Sequence, residues 1–379
     1  MDTISKEHTE KLLQFWLQDK SNEQLFLDLL SSIARTESYD LIAHVNDDAV
    51  LTSCTSTNIH ASFIQLLITS RDQTATAAYL DKYSAYLGVW KLYFQALSAF
   101  IECNFDTVIE LLSGEVLESE VAYDCALILA RTQYITGDIN SAVRELTPFV
   151  KAGRNSGAAG LYALCNFDLG HYPLSHEWAN IALENDKHNI DAILTLASYF
   201  VITQELSAAE EAISHCLQLN PTLGRAWSLQ GQLNLYRGDI ATALQSFSSA
   251  TTYMPDHIGT WHLFAWTQLF SNELGHAEAA FSKAVNLNPS FSESHGGLAI
   301  VEIQKENVDG AKKLIKLALR LDSDCFTARY AQSLLLEREG SLDEASQLVE
   351  SILQSESYID SISYKQLVQN ALLNMANKD

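Results

Sequence analysis

Prolines are scarce in this chain, and three of its five stand at one interval, with Pro221, Pro255 and Pro289 each 34 residues apart. Trp227 and Trp261 share that interval, as do Ala209, Ala243, Ala277, Ala311 and Ala345. Phe247 and Phe281 follow two of those alanines by four residues, and Ala250, Ala284 and Ala318 follow three of them by seven. A fixed period of this length restricts the chain to stacked copies of one supersecondary unit. A unit that short cannot bury its apolar face alone and must use its neighbours.

The best-marked copy reads as two helices. Residues 225–235 predict a helix carrying Trp227 and Gly231, Gly238-Asp239 a turn, and residues 240–253 a second helix stopped near Pro255. Small side chains at Gly231 and Ala243 let the two helices approach, Phe247 fills the space toward the next copy, and the proline resets the chain. With only 16 Gly and 5 Pro in 379 residues, little interrupts such helices elsewhere.

The set Trp227, Gly231, Ala243, Phe247, Ala250 and Pro255, repeated as Trp261, Ala265, Ala277, Phe281, Ala284 and Pro289, resembles the tetratricopeptide repeat. The following copy keeps Ala299, Ala311 and Ala318 but has His295 for the tryptophan and Ser323 for the proline. The preceding one keeps Ala197, Ala209 and Pro221, with Cys216 in the small slot. Weaker copies are marked by Cys103-Asn104-Phe105-Asp106, Gly137-Asp138, Gly170-His171 and Gly340-Ser341. The resemblance covers about residues 89–355 and is strongest over 190–322. It implies an all-α, right-handed superhelical array of antiparallel helix hairpins.

Outside it, residues 1–88 carry helical periodicity (Leu12, Leu13, Trp16, then Leu25, Leu29, Leu30), with Ser21 and Gln24 in capping-box positions, and predict divergent helical hairpins. Residues 356–379 present an amphipathic stripe, Ile362, Leu367, Val368, Ala371, Leu372 and Met375, expected to form a capping helix. Residues 151–157 are the one stretch that reads as a hinge.

Charge and motifs narrow the function. The balance of 24 Lys+Arg and 47 Asp+Glu gives 24 − 47 = −23, a field that repels phosphate backbones and acidic membranes, so nucleic acid is not an expected partner. No run approaches the roughly 18 apolar residues of a bilayer span, and the N-terminus lacks an apolar signal core; a cytoplasmic protein without membrane insertion is expected. The six cysteines are scattered and read as buried free thiols. No nucleotide loop or nucleophile elbow occurs, and Gly153, Gly157 and Gly160 read as a loop between helices. His171/His176 and His257/His262 are five apart, about 500° of helix, which leaves the rings about 140° apart and unsuited to one metal. Glu210, Glu211, Glu273 and Glu278 read as solvated outer-face acids. No catalytic residue, metal or cofactor is expected.

In the resembled family the first helix of each hairpin lines a concave groove. Carried over by register, that implies a protein-binding surface of Leu194, Ser198, Val201 and Ile202; Arg225, Ser228, Gln232, Leu235 and Tyr236; His262, Trp266, Leu269 and Phe270; Glu293, Ile300, Ile303 and Gln304. Core packing is the competing reading for each apolar member. Only Arg225 is basic there, which argues against a clamp for a C-terminal carboxylate. The resemblance implies a non-catalytic adaptor or chaperone holding a client segment, by family analogy in bacterial secretion or surface-structure assembly. A self-associating scaffold, and so a homo-oligomer, is the alternative; a non-catalytic subunit of a modifying enzyme is a second. Trp266 and Phe270 are expected to face solvent, and Phe247 and Phe281 to lie between hairpins.

Overall fold

The computed structural model describes residues 6–113, 121–153 and 155–354, and every regular element among them is a helix. The expected capping helix over 356–379 lies outside the described residues. The chain divides into two compact units, residues 1–153 and 154–379, at a boundary inside the 151–157 stretch.

In the first unit α1 (Lys6–Gln18) pairs with α2 (Glu23–Thr36). The short α3 (Ile42–Val45) and α4 (Asp48–Ser53) lead to three further hairpins. These are α5 (Thr57–Thr69) with α6 (Gln73–Tyr83), α7 (Trp90–Ile101) with α8 (Phe105–Leu112), and α9 (Ala122–Ile135) with α10 (Ile139–Ala152). The helices of residues 6–88 thus share a unit with those that follow. Their core is aromatic: Trp16 stacks on Phe26 at 4.8 Å, and the buried His60 lies flat on Tyr86 at 4.7 Å. Both His60 nitrogens are used, Nδ1 with the Tyr79 hydroxyl at 2.7 Å and Nε2 with the Cys54 carbonyl at 3.0 Å. The cap of α2 is Asn22, whose side chain accepts from Leu25 N at 3.0 Å; Ser21 bonds Asp19 instead, so the capping box expected at Ser21 and Gln24 does not form.

The second unit repeats one hairpin. First helices are α11 (Ser156–Asp168), α13 (Ile190–Ile202), α15 (Gly224–Tyr236), α17 (Ile258–Phe270), α19 (Ser292–Gln304) and α21 (Phe326–Arg338), each starting 34 residues after the last. Second helices are α12 (Tyr172–Asn185), α14 (Leu206–Leu219), α16 (Ile240–Tyr253), α18 (Leu274–Leu287), α20 (Val308–Leu321) and α22 (Leu342–Gln354), in the same step. First helices pack on one another in series, and each second helix up to α20 packs on the first helices either side of it. That asymmetry crowds one face, lined by first helices, and spreads the other.

Each turn joining the two helices of a hairpin uses one device. A left-handed residue stands at Gly170, Gln204, Gly238, Asn272, Glu306 and Gly340, with φ between 60° and 86°. At Gly238 its N–H reaches the Leu235 carbonyl at 2.9 Å, and the next N–H, of Asp239, reaches Asn234 at 2.9 Å, a Schellman closure. The Asp239 carboxylate then accepts from Thr242 N at 3.1 Å and opens α16. One residue ends the first helix through its backbone and starts the second through its side chain. Asn307 does the same before α20, its N–H on Glu302 and its side chain on Gly310 N.

Trp227 Nε1 donates to the Pro221 carbonyl at 2.8 Å and Trp261 Nε1 to Pro255 at 2.7 Å, tying each first helix to the loop before it. His295, in the tryptophan position, makes the same tie from Nε2 to Pro289 at 2.8 Å. Phe247 and Phe281 are fully buried, and a Cβ at Gly231 would come within 2.7 Å of the Phe247 ring. Cys216 is fully buried where other hairpins place Ala250, Ala284 and Ala318, and burial pushes its thiol up to about 12. Cys103 is the exception to the expected burial, being exposed because it occupies a left-handed turn position at φ 56°. Two outer acids are not merely solvated. Glu210 holds Arg237 through two bonds at 3.0 and 2.7 Å, and Glu278 holds Lys305 at 2.5 Å, each linking one hairpin to the next.

Candidate functional site

The crowded face of the second unit is where the register places the candidate groove, and its residues fall into three groups. Seven are core. Leu194, Ser198, Val201, Ser228, Leu269, Ile300 and Ile303 are all at most 8% exposed. The expectation that they line a groove is corrected: a first helix is flanked by a neighbour on each side as well as by its own partner, so the strip it leaves open is narrower than the register set. Ser198 Oγ turns back onto the Leu194 carbonyl at 2.8 Å, and Ser228 accepts from Thr260 Oγ1 at 3.3 Å across to α17.

A second group is polar but committed to the fold. Arg225 grips Asp168 with both guanidinium nitrogens, at 2.8 and 2.5 Å, reaching from α15 past α13 to the end of α11, and stands 5.8 Å over the Phe167 ring. Glu293 caps α21: Oε1 accepts from Phe326 N at 2.9 Å, and Oε2 from Thr327 N at 3.0 Å and from the Thr327 hydroxyl. Neither is an open binding group, which corrects their place in the implied surface. His262 is held likewise, its ring edge-on to Phe281 and Phe291, each at 5.5 Å. Burial lowers its pKa to about 4 against an opposing pull from Glu293, so at neutral pH the ring is uncharged. An indole N–H can only donate, and Trp266 Nε1 points at His262 Nε2 at 3.1 Å; the ring proton therefore sits on Nδ1 and is donated to Ser294 Oγ at 3.2 Å.

The third group remains accessible. Ile202, Gln232, Leu235, Tyr236 and Trp266 are half-buried, Gln304 is exposed, and Phe270 is 60% exposed. Trp266 is not the free solvent-facing ring expected, since it is pinned by His262 and packs 6.3 Å from Phe281. It sits 5.7 Å from Phe270 and 6.4 Å from Tyr330 of α21, so the structure gathers three aromatic rings from two first helices that are two hairpins apart. Tyr330 and Asp168 were absent from the implied set, although the register pointed to both. Tyr330 is 34 beyond Gly296, which is itself 34 beyond His262, and Asp168 is 34 before Ile202.

Gly157 and Gly160, read as loop, lie inside α11, where a Cβ on Gly160 would collide with Asn189. Among the described residues no three His, Cys, Asp or Glu side chains are grouped as a metal ion would need, and no helix is long and apolar enough to cross a membrane.

Residues 297–358 match the tetratricopeptide repeat family. Anaphase-promoting complex subunit 3 of Schizosaccharomyces pombe is 25% identical over 180 residues, covering 46% of this chain and 27% of that protein. The chain thus spans about a quarter of that relative's length. Among solved structures, Pseudomonas aeruginosa PilF is 15% identical, with a TM-score of 0.46 over 55% of this chain and 96% of that one. YrrB, described as a tetratricopeptide repeat protein with an unusual peptide-binding site, is also 15% identical, with a TM-score of 0.38 over 49% and 97%.

Proposed function

We propose that this chain, whose residues 297–358 match the tetratricopeptide repeat family, is a non-catalytic adaptor that holds a segment of a client protein against the first-helix face of its second unit. The observation that carries this reading is the ring cluster of Trp266, Phe270 and Tyr330. Phe270 stays 60% exposed in a face whose other apolar side chains are largely consumed by packing. An aromatic left in water beside two half-buried partners costs hydration free energy that a client would relieve, and aromatic anchors of this kind carry about 2 kcal/mol or more in interfaces. On the first helices of the same unit Gln304, Gln232 and Tyr236 keep accessible polar atoms for main-chain recognition. Secretion, surface-structure assembly and chaperoning in the cytoplasm are the settings that the family analogy adds.

Affinity purification with mass spectrometry would supply the client. Phe270→Ala combined with Tyr330→Ala is expected to weaken it tenfold to a hundredfold, about 1.4 to 2.8 kcal/mol. Unchanged binding would remove the first-helix face as the site. A second reading, a scaffold subunit of a larger assembly, draws on the likeness to a subunit of the anaphase-promoting complex. It predicts stable partners that copurify through high salt and are indifferent to Phe270.

A further inference from the structure

The opposite face of the same unit bears a charge that the rest of the chain does not prepare for. Four of its 24 lysines and arginines, Lys312, Lys313, Lys316 and Arg320, fall within nine residues of α20, in a protein of net charge −23. Lys312, Lys316 and Arg320 stand at i, i+4 and i+8, a row about 12 Å long on one side of the helix. They edge a slot of about 500 Å³ between α20 and α21. Its walls are apolar: Ile315 and Leu335 at the bottom, Leu319 and Leu336 half-buried above them.

Acids stand at both ends of the row, with Asp322 capping α20 two residues after Arg320. Glu339 pairs with Lys312 at 2.8 Å, and Asp309 lies one turn before it. Lys316 and Arg320 are exposed and form no ion pair among the described residues. The Lys312 pair is itself exposed, so a competing carboxylate can displace it readily.

We propose that this outer slot docks an acidic amphipathic helix of a partner protein, with its apolar row in the slot and its carboxylates along Lys312, Lys316 and Arg320. The slot is too small for a whole helix, whose diameter with side chains is about 10–12 Å, so the helix lies over the opening and inserts one row. The i, i+4, i+8 spacing of the cations matches carboxylates repeated every fourth residue on a helix lying alongside, about two turns of contact. An acidic partner is otherwise repelled by this protein, which makes the cationic row selective for where it lands. The site is independent of the first-helix face and of what binds there.

The test uses the full-length protein and a fluorescein-labelled helical peptide with leucines at i, i+3, i+4 and i+7 beside glutamates at every fourth residue, followed by anisotropy. Its Kd should be at least tenfold tighter than that of a shuffled peptide of the same composition. Lys316→Glu with Arg320→Glu should weaken binding at least tenfold, with the melting curve unchanged because both side chains are exposed. Lys283→Glu with Lys187→Glu, the same total charge change at exposed sites elsewhere, should leave it unaltered. The proposal is overturned by no binding, by equal binding of the shuffled peptide, or by a double variant that binds normally. A wild type that is oligomeric by light scattering, and monomeric as the double variant, would give the slot to a second copy and overturn it too. A carbodiimide cross-link from Lys316 to an acid within residues 355–379 in probe-free protein would assign the slot to the chain itself, with the same consequence.

Discussion

At the scale of single residues, the turn positions separate glycine from its substitutes. Gly170, Gly238 and Gly340 take the left-handed conformation freely, whereas Gln204 and Glu306 hold it at φ 60° and 64° with a Cβ in place. Gln204→Gly and Glu306→Gly should therefore each stabilise the protein by about 0.5–1 kcal/mol, with Asn272→Gly gaining less, as urea titration would register. His262 gives a pH dependence of definite sign. Its folded pKa, about 4, lies below the unfolded value near 6.5, so the unfolded chain binds more protons between them. The stability that neutral His262 contributes is complete above pH 6.5 and is lost as pH falls toward 4. Replacing it with glutamine should flatten the difference in urea midpoint between pH 7 and pH 4.5, and an unchanged slope would place the acid sensitivity elsewhere. Trp266→Ala should lower stability as well as binding, because it unpairs the His262 nitrogen; Phe247→Ala should cost about 3–5 kcal/mol through its cavity alone.

At the scale of elements, α19 and α21 pack closely, and glycine permits it. A Cβ at Gly296 would lie 2.6 Å from the Ala328 nitrogen and 2.8 Å from the Thr327 carbonyl carbon, backbone atoms that cannot swing aside. Gly296→Ala should therefore destabilise by about 1–3 kcal/mol despite alanine's better helix propensity, and it should loosen the Glu293 cap on α21. The hook from the tryptophan position shows how far pattern reading reaches. Period and spacing marked Trp227 and Trp261, but only the geometry shows that His295 replaces the indole by carrying the same kind of bond to the same carbonyl. Hairpins were legible because small residues, aromatic fillers and breakers recur at fixed offsets. Exposure along the first helices was not legible, because whether Ile300 faces water or a neighbour depends on how tightly adjacent hairpins close, and the residues that meet Gly296 to set this, Thr327 and Ala328, belong to the next copy.

At the scale of the molecule, each hairpin of the second unit touches mainly its neighbours, so a local lesion should stay local. In the Gly296→Ala protein, hydrogen exchange should speed up across α19 to α22 while α11 to α14 keep their protection; uniform acceleration would mean that the unit unfolds as one block. The Asp168–Arg225 pair and the Trp266–Tyr330 rings join alternate hairpins and so couple beyond nearest neighbours, and both lie on the first-helix face. Sequence period alone could not reveal them, since each joins residues from different positions of the motif.

The hairpin turn has one more implication. Since Asp239 or Asn307 serves the outgoing and the incoming helix at once, the rotational phase between those helices is locked and cannot drift by a residue without losing both functions. Inheritance in such a chain is quantised: whole units can be gained or lost with every other unit left in phase, whereas a one-residue slip inside a turn puts two helices out of step together.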